Sequence, residues 1–253
     1  MVLDKARKVG DVFLVPMAKI FKNVNPNHLT MISLLFAIAA GVSFMISKPL
    51  ALSSEYWKIP PVLIVGALFV VLSGVFDLLD GKVARMADKV TKKGDFLDHM
   101  FDRYSDAIIL IGIIFSGYII VGLGVLALGS VLIASYMGTQ AQALGLGRDY
   151  KGIMGRADRI FLLIFFPLIH LVIFFILEDA NLIWFDNVQY WFLKDLFSYI
   201  NYKFTILDVL MLIFIIGGQW TAIQRAFDIW EGLDNNEKEQ KKRSSKKRNG
   251  KKD

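Results

Sequence analysis

The sequence predicts an all-α, polytopic membrane protein with six transmembrane helices, preceded by an amphipathic helix at the membrane interface. Two observations predict this class. The mean hydropathy of the 253 residues is +0.50, and several apolar runs approach the ~20 residues that a helix needs to cross a bilayer. The runs are continuous, whereas the strands of a membrane β-barrel alternate apolar and polar residues. The chain has no cysteine, which excludes disulfides, thiol catalysis and cysteine-bound metal ions.

The first 26 residues are predicted to lie along the membrane surface, before the first span. Apolar side chains such as Phe13 and Ile20 are interleaved with basic ones such as Lys8 and Lys19, a pattern typical of an interfacial helix. This mixing of charged and apolar residues distinguishes the segment from a signal peptide. Pro26 ends the helix and turns the chain into the bilayer.

One domain, residues 27–232, contains all the predicted spans. The third and fourth spans meet at Gly122-Leu123-Gly124, which predicts a tight reversal at these residues. Between the fifth and sixth spans, residues 181–204 are rich in aromatic side chains and are predicted to lie at the external headgroup level. The six predicted spans are residues 29–47, 61–80, 96–123, 124–144, 160–177 and 206–230.

The net charge of +6 is distributed unevenly along the chain. Lys and Arg concentrate before the first span, between the second and third, and between the fourth and fifth, whereas the opposite side carries only four lysines. The positive-inside rule then places both termini and these loops in the cytoplasm, with the protein in the cell membrane. Residues 233–253 carry two basic triplets and predict a disordered tail that contacts anionic lipid. With the charge assigned to loops and tail, no nucleic-acid partner is expected.

Four aspartates stand at the cytoplasmic ends of the second and third spans. Asp77 and Asp80 are three residues apart, and Asp98 and Asp102 are four apart, so each pair shares one helix face. A short loop makes the two helices antiparallel neighbours, and the carboxylates can therefore converge. Converging carboxylates repel unless a cation lies among them, and oxygen ligands select Mg²⁺, Mn²⁺ or Ca²⁺. The alternative is a set of interhelical salt bridges with neighbouring Lys and Arg.

Small residues accompany these aspartates. Gly81 and Ala84 follow Asp77 on the same helix face, and Gly94 precedes Asp98 by one turn, so a ligand has room to approach the backbone. The planar guanidinium of Arg85 suits a phosphate group. Two ions ~3.5–4 Å apart would stabilise both the attacking and the leaving oxygen of a displacement at phosphorus. The pattern therefore predicts a metal-assisted site for phosphate chemistry.

The pattern Asp77-x-x-Asp80-Gly81-x-x-Ala84-Arg85, followed by Gly94-x-x-x-Asp98-x-x-x-Asp102, resembles the signature of the CDP-alcohol phosphotransferase family. The resemblance extends to the six-span layout and to Pro26-Asn27-x-x-Thr30 at the entry to the first span. It implies that an acceptor hydroxyl attacks the β-phosphorus of a CDP-linked lipid, CDP-archaeol or CDP-diacylglycerol, and that CMP leaves. It also implies a homodimer.

The family resemblance further implies a role for each residue of the site. Asp102 is implied as the general base for the acceptor hydroxyl. Thr91 is implied as a nucleotide contact, but it can equally be the N-cap of the third helix. The four ligands of two divalent ions, Mg²⁺ or Mn²⁺, are implied to be Asp77, Asp80, Asp98 and Asp102. Contacts to the CDP moiety are implied for Asn27, Thr30, Gly81, Ala84, Arg85, Thr91 and Gly94.

The acceptor is predicted from the basic loop between the fourth and fifth spans. Arg148, Lys151, Arg156 and Arg159 form a cluster that suits a phosphorylated acceptor better than neutral serine or inositol. Alternatively, these charges only orient the protein in the membrane. Gly152-x-x-x-Arg156-x-x-Arg159 is similar to the branch of the family that uses inositol phosphate. That branch often has basic residues at the end of the fourth span, where this chain has residues 139–142, Thr-Gln-Ala-Gln, which keeps glycerol phosphate open.

Functions of other classes make different predictions. A cation-coupled transporter would carry its carboxylates near the bilayer midplane and would show an inverted repeat. In this sequence the aspartates lie at span ends, and no repeat is evident. A lipid-binding scaffold without catalysis would tolerate Asp102→Asn. The sequence therefore favours a transferase of phospholipid biosynthesis with inositol phosphate as its acceptor, and the same chemistry with glycerol phosphate, serine or inositol is the alternative.

Overall fold

The computed structural model describes residues 12–53, 59–147, 152–177 and 204–249. Every regular element within these ranges is a helix, which confirms the all-α class. Residues 181–203 of the predicted external segment and the predicted acceptor residues Arg148 and Lys151 lie outside the described residues. The helices are α1 at 12–20, α2 Pro26–Ser53, α3 Ile59–Met86, α4 Lys92–Ile114, α5 Val121–Ala143, α6 Arg156–Leu177 and α7 Ile206–Asn249.

Four of these helices are long and apolar enough to cross a membrane. The qualifying stretches are Pro26–Ser47 of α2, Val62–Met86 of α3, Val121–Ala143 of α5 and Ile206–Asn236 of α7. The first half of α4 carries the predicted metal ligands, which interrupt its apolar character. The length and composition of these four helices indicate a membrane protein.

The six long helices close into a ring. In cyclic order, each of α3, α2, α4, α5, α7 and α6 packs against the next, and α6 packs back on α3. Large apolar side chains such as Phe44, Leu110 and Phe214 fill the interior and are almost fully buried. The chain connections place the end of α3 and the starts of α2, α4 and α6 at one end of the ring.

Small residues allow two neighbouring helices to approach closely. α2 and α4 cross at Gly41 and Gly112, and a Cβ on Gly112 would collide with the backbone of Gly41. Close approach through glycine is a common way to pack helices in membranes, because it maximises van der Waals contact between backbones. This crossing brings the N-terminal ends of both helices to the same region.

Side chains define where the helices begin. The Asn25 side chain accepts a hydrogen bond from the backbone N–H of Asn27 at 3.1 Å, directly before α2. Thr91 caps α4, because its Oγ1 accepts from the N–H of Gly94 at 3.0 Å. Asp158 accepts from the N–H of Gly155 at 2.8 Å at the start of α6. Such caps satisfy backbone donors that a helix leaves unpaired at its first turn.

The reversal between α4 and α5 differs from the prediction. It occupies residues 115–120, and Gly122 and Gly124 lie inside α5. The turn is made by Gly117, which has a φ of 82°, and by Ser116, whose Oγ accepts from the N–H of Tyr118 at 3.2 Å. A glycine is required at position 124 for packing, since a Cβ there would approach the Ile114 side chain of α4 to 2.5 Å. The prediction of a turn at Gly124 is therefore wrong, because this glycine serves the packing of α5 against α4.

The C-terminal segment also differs from the prediction. α7 continues to Asn249, so residues 233–249, predicted as a disordered tail, are helical. The physical reason is that this segment is rich in Glu, Lys, Gln and Arg, which have high helix propensity. Neither Gly nor Pro interrupts it before Gly250.

Within the predicted N-terminal segment, the described residues form a helix, α1, at 12–20. Ala18 is buried, and Met17 and Phe21 pack with it against α2 and α3. Phe13 and Ile20 point away from the bundle and are 71% and 78% exposed. The helix is thus two-sided, with one apolar face on the bundle and another left outside it.

Candidate active site

A cavity of about 550 Å³ opens at the end of the ring where α2, α4 and α6 begin. It receives side chains from all six long helices. The cavity brings together every predicted metal and nucleotide residue, as well as both predicted acceptor residues that are described. These are Asn27, Thr30, Asp77, Asp80, Gly81, Ala84, Arg85, Thr91, Gly94, Asp98, Asp102, Arg156 and Arg159.

Three of the predicted metal ligands converge closely. Oxygen atoms of Asp77, Asp80 and Asp98 all lie within 4.8 Å of one another. Asp80 is 5% exposed, and its buried Oδ2 accepts no hydrogen bond from the described residues. A buried carboxylate oxygen without a partner is costly, and a divalent cation would satisfy it. The all-oxygen donor set suits Mg²⁺ or Mn²⁺, so the residues present fit the ion that the resemblance implies.

A histidine lies beside this cluster. His99 Nδ1 is 3.5 Å from Asp98 Oδ2, and His99 also groups with Asp98 and Asp102 as potential metal ligands. His99 follows Asp98 directly and so lies on a different helix face from the aspartates, which is why the spacing did not predict it as part of the site. The side chain nevertheless bends toward the neighbouring carboxylate.

Arg156 bridges the two aspartate helices. Its Nη1 lies 2.5 Å from Asp77 Oδ2 on α3 and 2.6 Å from Asp102 Oδ1 on α4. The packing of α6 against α3 brings this arginine, the first residue of α6, onto the carboxylates. Arg156 was predicted to contact the acceptor; in the structure it contacts Asp77 and the predicted general base, Asp102. Its guanidinium offsets the repulsion between the two aspartates.

Arg159 lies deeper in the cavity. Its Nη2 is 2.6 Å from Asp106 Oδ2 and 3.4 Å from Ser135 Oγ. Arg159 and Asp106 are 6% and 4% exposed, so this is a buried ion pair between α6 and α4. Sequence analysis missed Asp106, although it continues the four-residue spacing of Asp98 and Asp102 along α4 and could have been found from that spacing.

Arg225 of α7 completes the basic side of the cavity. It is 8% exposed, and its Nη1 donates a hydrogen bond to the carbonyl of Ala134 on α5 at 2.6 Å. Arg225 lies far from the aspartates in the sequence, and the closing of the ring brings it into the same cavity. The basic side thus has Arg156, Arg159 and Arg225. Two small residues of α5, Ser135 and Gly138, line the cavity beside them.

The nucleotide side of the cavity is narrow where α2 and α4 begin. A Cβ on Gly94 would approach Thr91 Oγ1 to 3.2 Å and Asn27 Oδ1 to 3.4 Å, so these three residues meet at one point. Thr91 is therefore both the cap of α4 and a cavity residue, and the two readings of its role are compatible. Thr30 Oγ1 donates to the Pro26 carbonyl at 3.2 Å.

Gly81 and Arg85 lie on the opposite wall of this nucleotide side. The Arg85 guanidinium folds over Gly81, where a Cβ would lie 3.5 Å from the arginine Nη1. Arg85 itself is exposed to the cavity opening. The helix N-termini of α2, α4 and α6 all face this end of the ring, and the positive end of a helix dipole favours phosphate groups.

Helices apolar enough to cross a membrane, together with converging carboxylates beside arginines, are the features of a divalent-metal-dependent membrane transferase that acts at phosphorus. The sequence matches the CDP-alcohol phosphatidyltransferase family over residues 23–207, and the chain belongs to that family. The family predicted from the sequence motif is therefore confirmed. Membership places the chain in a family of CDP-alcohol phosphatidyltransferases.

Two archaeal relatives carry the same printed name. The archaetidylinositol phosphate synthase of Methanothermobacter thermautotrophicus is 44% identical over 102 residues, which cover 40% of this chain and 52% of that protein. The match thus spans about half the length of that relative. The archaetidylinositol phosphate synthase of Pyrococcus horikoshii is 30% identical over 166 residues, covering 66% of this chain and 81% of that protein.

Solved structures share the fold. The phosphatidylinositol phosphate synthase of Mycobacterium tuberculosis with CDP-DAG bound aligns with a TM-score of 0.60 at 20% identity, covering 86% of this chain and 94% of that chain. The same enzyme in complex with manganese and citrate aligns with a TM-score of 0.60 at 21% identity. At this identity the likeness establishes a common fold.

Proposed function

We propose that the chain transfers a phosphatidyl or archaetidyl group from a CDP-linked lipid to a hydroxyl of inositol phosphate and releases CMP. One observation carries the acceptor assignment. The Nε atoms of Arg156 and Arg159 are buried and have no hydrogen-bond acceptor among the described residues. Two unsatisfied guanidinium donors in one cavity suit the phosphate of an acceptor, and the names of the archaeal relatives agree with this choice.

The metal ligands of this proposal are Asp77, Asp80, Asp98 and Asp102. Two bound Mg²⁺ or Mn²⁺ ions would neutralise the pyrophosphate and the departing CMP. The backbone at Gly81 and Ala84 leaves space for the CDP moiety, with Arg85, Gly94, Asn27, Thr30 and Thr91 around it.

The protein's own side chains prepare the acceptor. Asp102 Oδ accepts the proton of the attacking hydroxyl, while the ion pair with Arg156 orients its carboxylate toward the cavity. Arg156 and Arg159 bind the acceptor phosphate through their remaining donors, and Arg225 lines the same side. Asp106 holds Arg159 in place at 2.6 Å. Burial of these groups excludes water, which would otherwise compete with the acceptor hydroxyl.

We also propose that α4 and α6 span the membrane, which gives six spans, and that the cavity and both termini face the cytoplasm of the cell membrane. The support is the concentration of Lys and Arg at the cavity end of the ring, including Lys19, Lys82 and Lys92. The exposed apolar face of α1, with Phe13 and Ile20, suits an interfacial position. A homodimer is proposed from the family alone, and crosslinking in native membranes tests it.

A CMP-release assay tests the reaction and its acceptor. The purified protein is given Mg²⁺, CDP-archaeol or CDP-diacylglycerol, and one acceptor at a time: inositol phosphate, glycerol phosphate, serine or inositol. Inositol phosphate is expected to support the fastest release, and Asp102→Asn is expected to abolish it. Faster release with serine or inositol would overturn the assignment of the arginines to an acceptor phosphate, and no release with any acceptor would overturn the enzyme activity.

A further inference from the structure

The segment that leads into Arg156 is fixed to α7. The backbone N–H of Met154 donates a hydrogen bond to Thr221 Oγ1 at 3.1 Å, across 67 residues of sequence. Thr221 is fully buried, and Met154 is 5% exposed. A buried hydrogen bond of this kind specifies a position, because a donor left without its acceptor would be costly. Thr221 therefore determines where residue 154 lies.

Shape determines the position of the same segment. Gly152 has a φ of 127°, and a Cβ there would collide with the Thr221 side chain. One turn earlier on α7, Gly217 lies under Met154, and a Cβ on Gly217 would collide with the Met154 Cε. Gly152 thus leaves room for Thr221, and Gly217 leaves room for Met154. Of the two contacts, the one between Gly152 and the short side chain of Thr221 restricts the backbone position more, because the Met154 Cε is the far end of a flexible side chain.

Arg156 follows this segment by two residues. Between them, the N–H of Gly155 donates to Asp158 Oδ2 at 2.8 Å, which fixes the start of α6. The Arg156 guanidinium then reaches Asp77 and Asp102. A shift of the segment along α7 would therefore move the first turn of α6, and with it the guanidinium that contacts both carboxylates.

We propose that Thr221 and Gly217 are positioning residues that set the affinity for the phosphorylated acceptor by holding the 152–155 segment, and through it Arg156. Neither residue touches a substrate. This inference rests on the proposed function, in which Arg156 binds the acceptor phosphate. It gives α7 a part in acceptor selection beyond the presence of Arg225 in the cavity.

The first test compares two substitutions at Thr221. Thr221→Val keeps the shape of the side chain but removes the acceptor, whereas Thr221→Ser keeps the hydroxyl. Loss of one buried hydrogen bond is expected to raise the acceptor KM about fivefold in Thr221→Val, with the KM for the CDP-lipid unchanged, and Thr221→Ser is expected to restore the acceptor KM. Equal rises in both KM values, or no change in the acceptor KM, would overturn the proposal.

Glycine substitutions provide an independent perturbation. Gly217→Ala crowds the Cε at the end of the Met154 side chain and is expected to raise the acceptor KM less than Thr221→Val does, without changing the KM for the CDP-lipid. Gly129→Ala on α5 is the matched control, because no atom lies within 4 Å of a Cβ at that position. Ser130→Ala is a second control, since it removes the 3.1 Å hydrogen bond from Gln219 that joins α5 to α7 away from the segment. An acceptor KM in either control that rises as much as in Gly217→Ala would assign the effect to general helix packing.

A spectroscopic measurement examines the segment without any substrate. The chain has no cysteine, so a spin label on Ile153→Cys, a position that is 63% exposed, reports this segment alone. Thr221→Val is expected to increase the label's mobility in the electron paramagnetic resonance spectrum, and Thr221→Ser and Ser130→Ala are expected to leave it unchanged. Unchanged mobility in Thr221→Val would overturn the positioning role. If the protein releases no CMP, the proposed function fails, while the spectra still decide whether Thr221 holds the segment.

Discussion

Asp208 joins the starts of two helices at the end of the ring opposite the cavity, and its removal is expected to destabilise the fold while leaving the site intact. Its Oδ1 accepts from the N–H of Ile120 at 2.8 Å, before α5, and its Oδ2 accepts from the N–H of Thr205 at 2.8 Å, before α7. Asp208 is fully buried. Hydrogen bonds to a charged group contribute about 1.5–3 kcal/mol each, so Asp208→Ala is expected to lower the free energy of unfolding by about 3–6 kcal/mol.

Asp208→Asn separates the two bonds. The amide keeps one oxygen acceptor and turns an NH₂ group toward the other backbone donor, so about half of the loss, ~1.5–3 kcal/mol, is expected. Asp234→Ala on the exposed part of α7 is the matched control, and substitutions of this kind usually stay within about 0.5 kcal/mol. The measurement is equilibrium unfolding in detergent micelles, followed by circular dichroism.

The activity of the same variants tests the separation of fold and site. Asp208 precedes Arg225 by 17 residues on α7, which is about 25 Å along a helix. The kcat/KM for CMP release is therefore expected to be unchanged at temperatures where Asp208→Ala remains folded. If Asp208→Ala unfolds no more readily than Asp234→Ala, or if it loses activity while folded, the reasoning about this carboxylate is refuted.

Three further predictions concern the site and the helix crossing. Asp80→Asn is expected to weaken Mn²⁺ binding by roughly 100-fold or more, since mutation of a residue that only supports a metal ligand already lowers metal affinity 10–100-fold. Calorimetric titration measures the affinity, with the exposed Asp88→Asn as the control. Equal affinities of the two variants would contradict the prediction. Asp106→Ala is expected to lower the free energy of unfolding by about 3–5 kcal/mol, because it leaves Arg159 buried without its partner. Thermal unfolding measures this loss. The double variant Asp106→Ala/Arg159→Met should recover part of it. Gly112→Ala is expected to separate α2 from α4 and to cost about 1–3 kcal/mol, whereas Gly129→Ala should be neutral, and similar stabilities of the two variants would contradict the crossing.

Local sequence predicted the α3 and α4 part of the site because every spacing there is short. Asp77 and Asp80 share a helix face, as do Asp98 and Asp102, and a loop of a few residues forces the two helices together. Their convergence therefore follows from helix geometry alone. The spacing does not show how deeply each aspartate is buried. In the structure Asp80 is only 5% exposed, and its Oδ2 accepts no hydrogen bond from the described residues.

The errors of prediction arose where one residue type serves two purposes. Gly122 and Gly124 indicated a turn, but Gly124 provides space for Ile114 at the contact between α4 and α5. The Lys-rich and Glu-rich composition of residues 233–249 is shared by disordered segments and by exposed helices, and the structure has a helix. Composition and local pattern do not distinguish these pairs, because the deciding contacts come from other helices or from the absence of a helix breaker.

The two halves of the cavity differ in how the chain encodes them, and this difference bears on how acceptor choice can vary. The carboxylate half lies within one helical hairpin, α3 and α4. The basic half comes from α6 and α7 and depends on the whole ring, through contacts such as Arg225 to Ala134 and Thr221 to Met154. Two arginines of α6 join the halves, because Arg156 contacts Asp77 and Asp102 and Arg159 contacts Asp106 of α4. Substitutions in α5 and α7 can therefore change the basic half while the carboxylates keep their geometry, provided that the positions of Arg156 and Arg159 are preserved.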